Sequence, residues 1–159
     1  MSSYAPQYLI IEWLTRHHDD PDQAREQWLE QRVALLPLGV DIAAVRLTGD
    51  LVRAATGTDD PEQIAVTLAE MLDGAVISDR DVYYALINGH AGLVWDMEKD
   101  APCLGKGVYL GVPALDCTTQ GSRAPYWVLP PRREGDFCRP DSVRRLVTAG
   151  LLGLHAAEC

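Results

Sequence analysis

The sequence predicts an α+β fold with a mixed or largely antiparallel sheet flanked by helices. Helical patterns occupy the two ends of the chain, and short strand patterns fill its middle without regular strand-helix alternation. A length of 159 residues is enough for one hydrophobic core and too short for two full domains. We therefore expect a single domain over residues 1–159, with a helical part over 1–33 and an α+β core over 34–159.

Helices are predicted from apolar spacing and from start signals. Leu9, Ile10, Trp13 and Leu14 fall on one helical stripe. The sequences "DPDQ" at 20–23 and "DPEQ" at 60–63 each place Asp at the N-cap and Pro at the first helical position, and Gly74 follows the second pattern as a stop signal. The predicted helices cover residues 6–17, 21–33 and 61–73, and a last helix that begins at Pro140 and lies across the sheet.

Strands are predicted from short runs rich in β-branched and aromatic residues. These runs are Ala34 to Leu38, Ile42 to Leu47, Ala75 to Ile77, Val82 to Ile87, Val108 to Val112 and Tyr126 to Leu129. Core packing is expected for Trp127. The longest predicted loop is "LDCTTQGSRAP" at 115–125, which is either a flap or a plain connection.

The charge balance disfavours nucleic acid as a main ligand. The chain has 14 basic and 23 acidic side chains, a formal net charge of −9. Nucleic-acid binding relies on Lys and Arg that neutralise phosphates, and Lys occurs only at positions 99 and 106.

Neither a membrane span nor a secretory signal is indicated by the sequence, so we expect a cytoplasmic protein without a membrane partner. The four cysteines, Cys103, Cys117, Cys138 and Cys159, are widely spaced and form no Cys-x-x-Cys pair of the kind that zinc sites use. Reduced thiols are expected.

A resemblance to a known family rests on residues 75–131. A strand pair ending "VYYALI" and the turn "NGHAG" precede "GVYLGVP" at 107–113, a polar loop with Gly121, and a strand beginning Tyr126-Trp127. In this order the chain resembles the N-terminal domain of bifunctional DNA primase/polymerases, a branch of the archaeo-eukaryotic primase superfamily. It also resembles small actinobacterial proteins with a primase/polymerase-like label. The resemblance implies a primase/polymerase-like version of the α+β fold.

The residues that the family uses for polymerase chemistry are not matched. The family's site combines a strand ending in Asp-x-Asp, a Ser-x-His or Gly-x-His strand, and a later Asp, which hold two divalent cations and the incoming nucleotide. The stretch that corresponds to the histidine strand is "DRDVYYALI" and has no His, while His90 lies beyond it. Asp41 and Asp50 are too far apart to form the Asp pair. We therefore assign no catalytic residue and no cofactor, and lean against an enzyme.

Asp79 and Asp81 leave two interpretations open. On a strand, side chains two residues apart face the same side, so the pair, completed by Asp96 of "LVWD", is a weak candidate metal site. The four polar residues 78–81 between two strand patterns instead predict a hairpin turn, and Arg80 would place a cation beside any metal. The turn is the preferred interpretation.

Two functions follow as expectations. The first is a non-catalytic, primase/polymerase-like module that binds a protein partner or acts in regulation, because the scaffold pattern is kept and the catalytic motifs are not. The alternative is a protein, including an enzyme, that binds a small molecule or nucleotide in a cleft lined by Arg80, Tyr84, Lys106 or Tyr109. An active polymerase ranks last, and no sequence feature indicates an oligomeric state.

Overall fold

The computed structural model describes residues 6–118 and 125–158, and it confirms the α+β class. Within these residues there are six helices and seven strands. The helices are α1 (Gln7–Thr15), α2 (Pro21–Gln31), α3 (Gly49–Thr56), α4 (Pro61–Leu72), α5 (Gly89–Leu93) and α6 (Pro140–Glu158). The strands are β1 (Val33–Pro37), β2 (Ile42–Thr48), β3 (Val76–Asp79), β4 (Val82–Asn88), β5 (Cys103–Leu104), β6 (Tyr109–Pro113) and β7 (Tyr126–Leu129).

The strands form two antiparallel sheets. Five of them make a central sheet in the order β5-β2-β4-β3-β7. Its longest pairing joins β2 and β4, from Ile42 opposite Asn88 to Thr48 opposite Val82. Strands β1 and β6 pair separately, from Val33 opposite Pro113 to Pro37 opposite Tyr109, and we call this two-stranded sheet the ribbon.

Both faces of the central sheet are covered. Because successive strand residues point to opposite faces, Val45 and Ala85 contribute to one core while Ala44 and Leu86 contribute to the other. The first core lies under α3, α4 and α6. The second core lies under α1, α2 and the ribbon. Burial on two faces explains why the central strands read as nearly continuous apolar runs.

Two tryptophans attach the ribbon to the rest of the fold. The indole Nε1 of Trp28 in α2 donates to the Val112 carbonyl, and that of Trp127 in β7 donates to the Pro113 carbonyl, both at 2.9 Å. Trp127 is fully buried, as predicted. The outer edge of β1 is covered by α2, whose Gln27 Oε1 accepts from the Leu35 amide at 3.1 Å.

Several element boundaries differ from the sequence-based expectations. Helix α2 ends at Gln31 because Arg32 adopts φ 65°, and β1 begins at once. Helix α4 is ended by Asp73 at φ 50°, whereas Gly74 is needed for close packing instead. Helices α3 and α5 and the two-residue β5 were not predicted. Residues 119–124 of the predicted loop at 115–125, with Gly121, and Cys159 lie outside the described residues.

Among the described residues, no helix combines the length and the apolar character needed to span a bilayer.

Candidate functional site

The hairpin between β3 and β4 carries the acidic pair singled out from the sequence. Asp79 is the last residue of β3 and pairs with Val82, so the turn itself is Arg80 and Asp81, with Arg80 at φ 59°. The predicted turn is therefore present but shorter than expected. Ser78 and Asp79 belong to the strand, and Ser78 is buried.

The carboxylate of Asp81 is bound by an arginine from another element. Arg53 of α3 donates from Nη1 to Asp81 Oδ1 at 2.8 Å and from Nη2 to Oδ2 at 3.2 Å. These hydrogen bonds lower the pKa of Asp81. Arg53 also binds Asp50 at 2.7 Å. The hairpin tip is thus tied to α3 by an exposed ion-pair network.

Gly49 at the start of α3 allows the hairpin tip to lie close to this helix. The Gly49 amide donates to the Asp81 carbonyl at 2.8 Å. A Cβ at Gly49 would lie 2.8 Å from the Arg53 guanidinium and closer still to the Asp81 carboxylate. Thr48 caps α3 by accepting from the Leu51 amide at 3.2 Å, which fixes the start of the helix beneath the hairpin.

The third carboxylate of the candidate metal set is engaged elsewhere. Asp96 accepts from Arg144 Nε of α6 at 2.9 Å, which lowers its pKa. The Arg144 guanidinium also lies over the Trp95 ring, 5.4 Å from its centroid. Within residues 6–118 and 125–158, no group of three or more His, Cys, Asp or Glu side chains is arranged to hold a metal ion.

The four residues of the predicted ligand cleft lie on different elements. Arg80 is exposed at the hairpin tip, and Tyr84 is half-buried in β4 against the second core. Lys106 lies in the turn before β6, where its backbone passes Gly39, and Tyr109 begins β6 and is 59% exposed. None of the four lines any of the three cavities described next.

The smallest of these cavities, of about 220 Å³, is lined by an ion pair whose carboxylate is buried. Asp136 is only 1% exposed, and its Oδ2 accepts from the Arg132 amide at 2.8 Å and from Arg132 Nε at 3.0 Å. Burial alone would raise the pKa of Asp136, but the Arg132 hydrogen bonds outweigh it, so the pKa is lowered. Arg132 also binds Asp73 at 3.0 Å. These charged side chains bind one another, so few polar groups of this cavity are available to a ligand.

A second cavity, of about 310 Å³, lies between the start of α4 and the central sheet. Tyr83 and Tyr126 line it together with Glu62 and Thr118. Burial raises the pKa of Tyr83, so its hydroxyl is protonated at neutral pH. Glu62 makes this cavity unfavourable for a phosphate group.

The largest of the three is an open groove of about 410 Å³ between α1 and α2, which we call the α1–α2 groove. It is lined mainly by apolar side chains. The lining residues are Gln7 and Ile11 of α1, Trp28, Leu29 and Arg32 at the end of α2, and Ala114, Leu115 and Asp116 after β6. Leu29 is 80% exposed. Arg32 donates from Nη2 to Asp116 Oδ1 at the rim.

Two of the described thiols, Cys103 and Cys138, are poor nucleophiles. Burial, with a smaller contribution from Glu98, raises the pKa of Cys103 to about 11. Burial raises the pKa of Cys138 to about 12. The thiolate is the reactive form, so neither residue supplies a nucleophile at neutral pH.

Comparison with protein-family models, with curated proteins and with solved structures finds no match for this chain.

Sequence reasoning missed the residues that organise these sites. Arg53 and Arg132 carry no local pattern that marks them as partners of Asp81 and Asp136. One available signal is the apolar pair Phe137-Cys138 directly after Asp136, which indicates that the chain turns inward there. The spacing of Ala24, Trp28, Leu29 and Val33 predicts a buried side of α2 that includes Leu29, but Leu29 is exposed in the structure, so the groove beside it was missed.

Proposed function

We propose that the protein is a non-catalytic module that binds a partner protein, in a regulatory role, through the side of the molecule formed by α1, α2 and the ribbon. The observation that carries this proposal is that four of the nine large apolar side chains exposed among the described residues belong to α1, α2 and the ribbon. Tyr8, Leu29, Leu35 and Tyr109 are 68%, 80%, 53% and 59% exposed. Clustered apolar surface on a folded domain is typical of interaction sites.

The outer face of the ribbon supports the same proposal. Leu35 and Tyr109 point away from the second core, since Ala34, Leu36 and Leu110 beside them are buried. The alternate positions on this face are Val33, Leu35 and Pro37 of β1 and Tyr109, Gly111 and Pro113 of β6. Among them Leu35 and Tyr109 are exposed, Val33, Pro37 and Gly111 are partly exposed, and Pro113 is buried. None of these carries a charge. A strand face without charged residues is unusual at a surface that contacts only water.

We propose a non-catalytic module because two of the three candidate metal ligands are engaged in other interactions and two of the thiols are protonated. Arg53 and Arg144 each occupy a carboxylate of the candidate metal set, and the thiols with shifted pKa stay protonated. The primase/polymerase-like resemblance remains part of the proposal: the scaffold would be kept while its chemistry is lost.

The test is co-purification from the native cell with cross-linking, using the full chain. We expect one stoichiometric protein partner for the wild type and for the control Val66→Ser/Leu152→Ser, whose changes lie on α4 and α6. We expect its loss for Leu29→Ser/Leu35→Ser. All four positions are at least half exposed, so each variant should fold.

Two results would overturn the proposal. One is template-dependent nucleotide incorporation with Mg²⁺ or Mn²⁺ that disappears in Asp79→Ala. The other is thermal stabilisation by a nucleotide or metabolite together with no protein partner, which would favour the small-molecule alternative.

A further inference from the structure

We infer that the cavity between the start of α4 and the central sheet binds a small organic cation with an alkylated ammonium group. We call it the tyrosine cavity, because Tyr83 of β4 and Tyr126 of β7 line it together with Glu62 and Ala65 of α4. It lies on the face of the central sheet that α3, α4 and α6 cover, whereas α1, α2 and the ribbon cover the other face. A ligand bound here would leave the proposed partner surface free, so this site is independent of the proposed function.

The register of the central sheet places the two tyrosines on either side of a small residue. Ser78 of β3 lies opposite Tyr83 on one neighbouring strand and opposite Tyr126 on the other. Residues directly opposite one another in a sheet point to the same face, and two strand spacings separate the two tyrosine backbones by roughly 10 Å. Because the Ser78 side chain is short, space remains between the two larger side chains, and both of them line the cavity.

Helix α4 covers this space without filling it. Pro61 and Ala65 are one helical turn apart and both line the cavity, so they lie on the side of α4 that faces the sheet. Ala65 contributes only a methyl group there. A volume of about 310 Å³ is at the lower end of the range for ligand pockets, so the cavity suits a compact ligand.

The charged side chains around the cavity favour a cation. Glu62 lines it, and among residues 6–118 and 125–158 no ion pair involves Glu62. The charge of Arg53 acts on Tyr83 from α3, but Arg53 is bound to Asp50 at 2.7 Å and to Asp81 at 2.8 Å. Two carboxylates therefore outweigh this arginine, and the surroundings of the cavity are negative.

The amides at the start of α4 do not reverse this preference. Pro61 has no amide hydrogen, and the Glu62 amide donates to the Asp60 carboxylate at 3.3 Å. The Ile64 amide donates to the Asp60 carbonyl at 2.9 Å. An anion at this end of the helix would find most donors already occupied and would face the Glu62 carboxylate.

The tyrosine rings supply the second part of the recognition. An ammonium group within about 6 Å of a ring centroid is attracted to the face of the ring, and aromatic cages bind quaternary ammonium ions in this way. Burial raises the pKa of Tyr83, so Tyr83 is uncharged at neutral pH and offers its ring face. Two rings and a carboxylate together select an alkylated ammonium ion over a neutral or anionic ligand of the same shape.

The test is titration of the intact protein with choline, followed by ligand-observed NMR. The matched ligand is the uncharged isostere of choline, in which a tert-butyl group replaces the trimethylammonium group. We expect saturable binding of choline that is about tenfold tighter than that of the isostere.

Variants of the lining residues locate the binding. Glu62→Gln and Tyr126→Leu should each weaken choline binding about tenfold, and both change side chains that are at least partly exposed, so the variants should fold. Ala65→Leu should abolish binding, because the larger side chain fills the cavity. Glu70→Gln is the control, since Glu70 is an exposed carboxylate of the same helix that does not line the cavity.

Three results would overturn the inference. They are no saturable binding of choline, equal binding of the uncharged isostere, and equal losses in Glu62→Gln and Glu70→Gln, which would mean that net charge alone attracts choline. Leu29→Ser/Leu35→Ser should bind choline as the wild type does. Loss of the protein partner and loss of choline binding are therefore separate results, and either can occur without the other.

Discussion

Gly74 shows how a single residue constrains the packing of the chain. A Cβ at this position would lie 2.6 Å from the Cys138 Cα and closer to the Cys138 amide nitrogen. Both are backbone atoms, so they can move only with the whole segment before α6. We expect Gly74→Ala to lower the free energy of unfolding by about 2 kcal/mol, measured by urea denaturation. Gly105→Ala is the control, because nothing lies within 4 Å of the added Cβ. Equal stability of the two variants would contradict this packing.

Asp136 gives a prediction about pH. Its pKa is lowered in the folded state, so its charge stabilises the fold above an unfolded-state pKa of about 3.9, and this contribution is lost as pH falls through the folded-state value. We expect Asp136→Asn to cost about 2 kcal/mol at pH 7, because Arg132 loses its buried partner. The difference in the free energy of unfolding between Asp136→Asn and the wild type should become smaller below about pH 4. Unfolding free energies measured by urea titration from pH 7 to pH 2 test this.

An exposed ion pair supplies the comparison for that experiment. Asp116 also binds an arginine, Arg32, but its side chain is 70% exposed. We expect Asp116→Asn to change the free energy of unfolding by no more than about 0.5 kcal/mol. A loss as large as that of Asp136→Asn would mean that burial does not set the difference.

Among the elements, those with a start signal in the sequence were predicted best. Both Asp-Pro patterns begin helices, at Pro21 and Pro61, because the capping side chain and the fixed proline φ act locally. Helix α3 was missed because its eight residues follow β2 directly, and its N-cap, Thr48, is also the last residue of that strand. A contact between positions 28 residues apart, such as Arg53 with Asp81, has no local signature.

The N-cap of α4 can be tested at the level of that helix. Asp60 Oδ1 accepts from the Glu62 amide at 3.3 Å, and α4 places Ile64, Leu68 and Leu72 in the first core. We expect Asp60→Ala to lower the free energy of unfolding by about 1 kcal/mol. Asp59→Ala removes a neighbouring exposed carboxylate that does not cap the helix, and it should change stability by less than about 0.5 kcal/mol. If the two variants are equally destabilised, charge rather than capping is responsible.

Local sequence patterns do not specify how the strands are divided between the two sheets. The strand patterns predicted six of the seven strands, but not that β1 and β6 leave the central sheet and pair across more than 70 residues. That pairing depends on Trp28 and Trp127 reaching two adjacent carbonyls of β6. For the same reason, Tyr84 and Tyr109 of the candidate cleft were expected on one sheet and lie on two.

The two cores should unfold together, because every strand of the central sheet contributes side chains to both of them. Trp13, Trp28 and Trp127 report on the second core and Trp95 on the first. With 5-fluorotryptophan incorporated, we expect the four fluorine resonances to lose their folded-state intensity at the same urea concentration. Trp127 lies on a strand of the central sheet, so its resonance reports loss of the sheet and not detachment of the helices alone.

Earlier transitions for Trp13 and Trp28 than for Trp95 and Trp127 would mean that α1 and α2 detach as a unit. In that case the α1–α2 groove would be formed only while its two helices are docked on the sheet, and binding in the groove would stabilise the docked state.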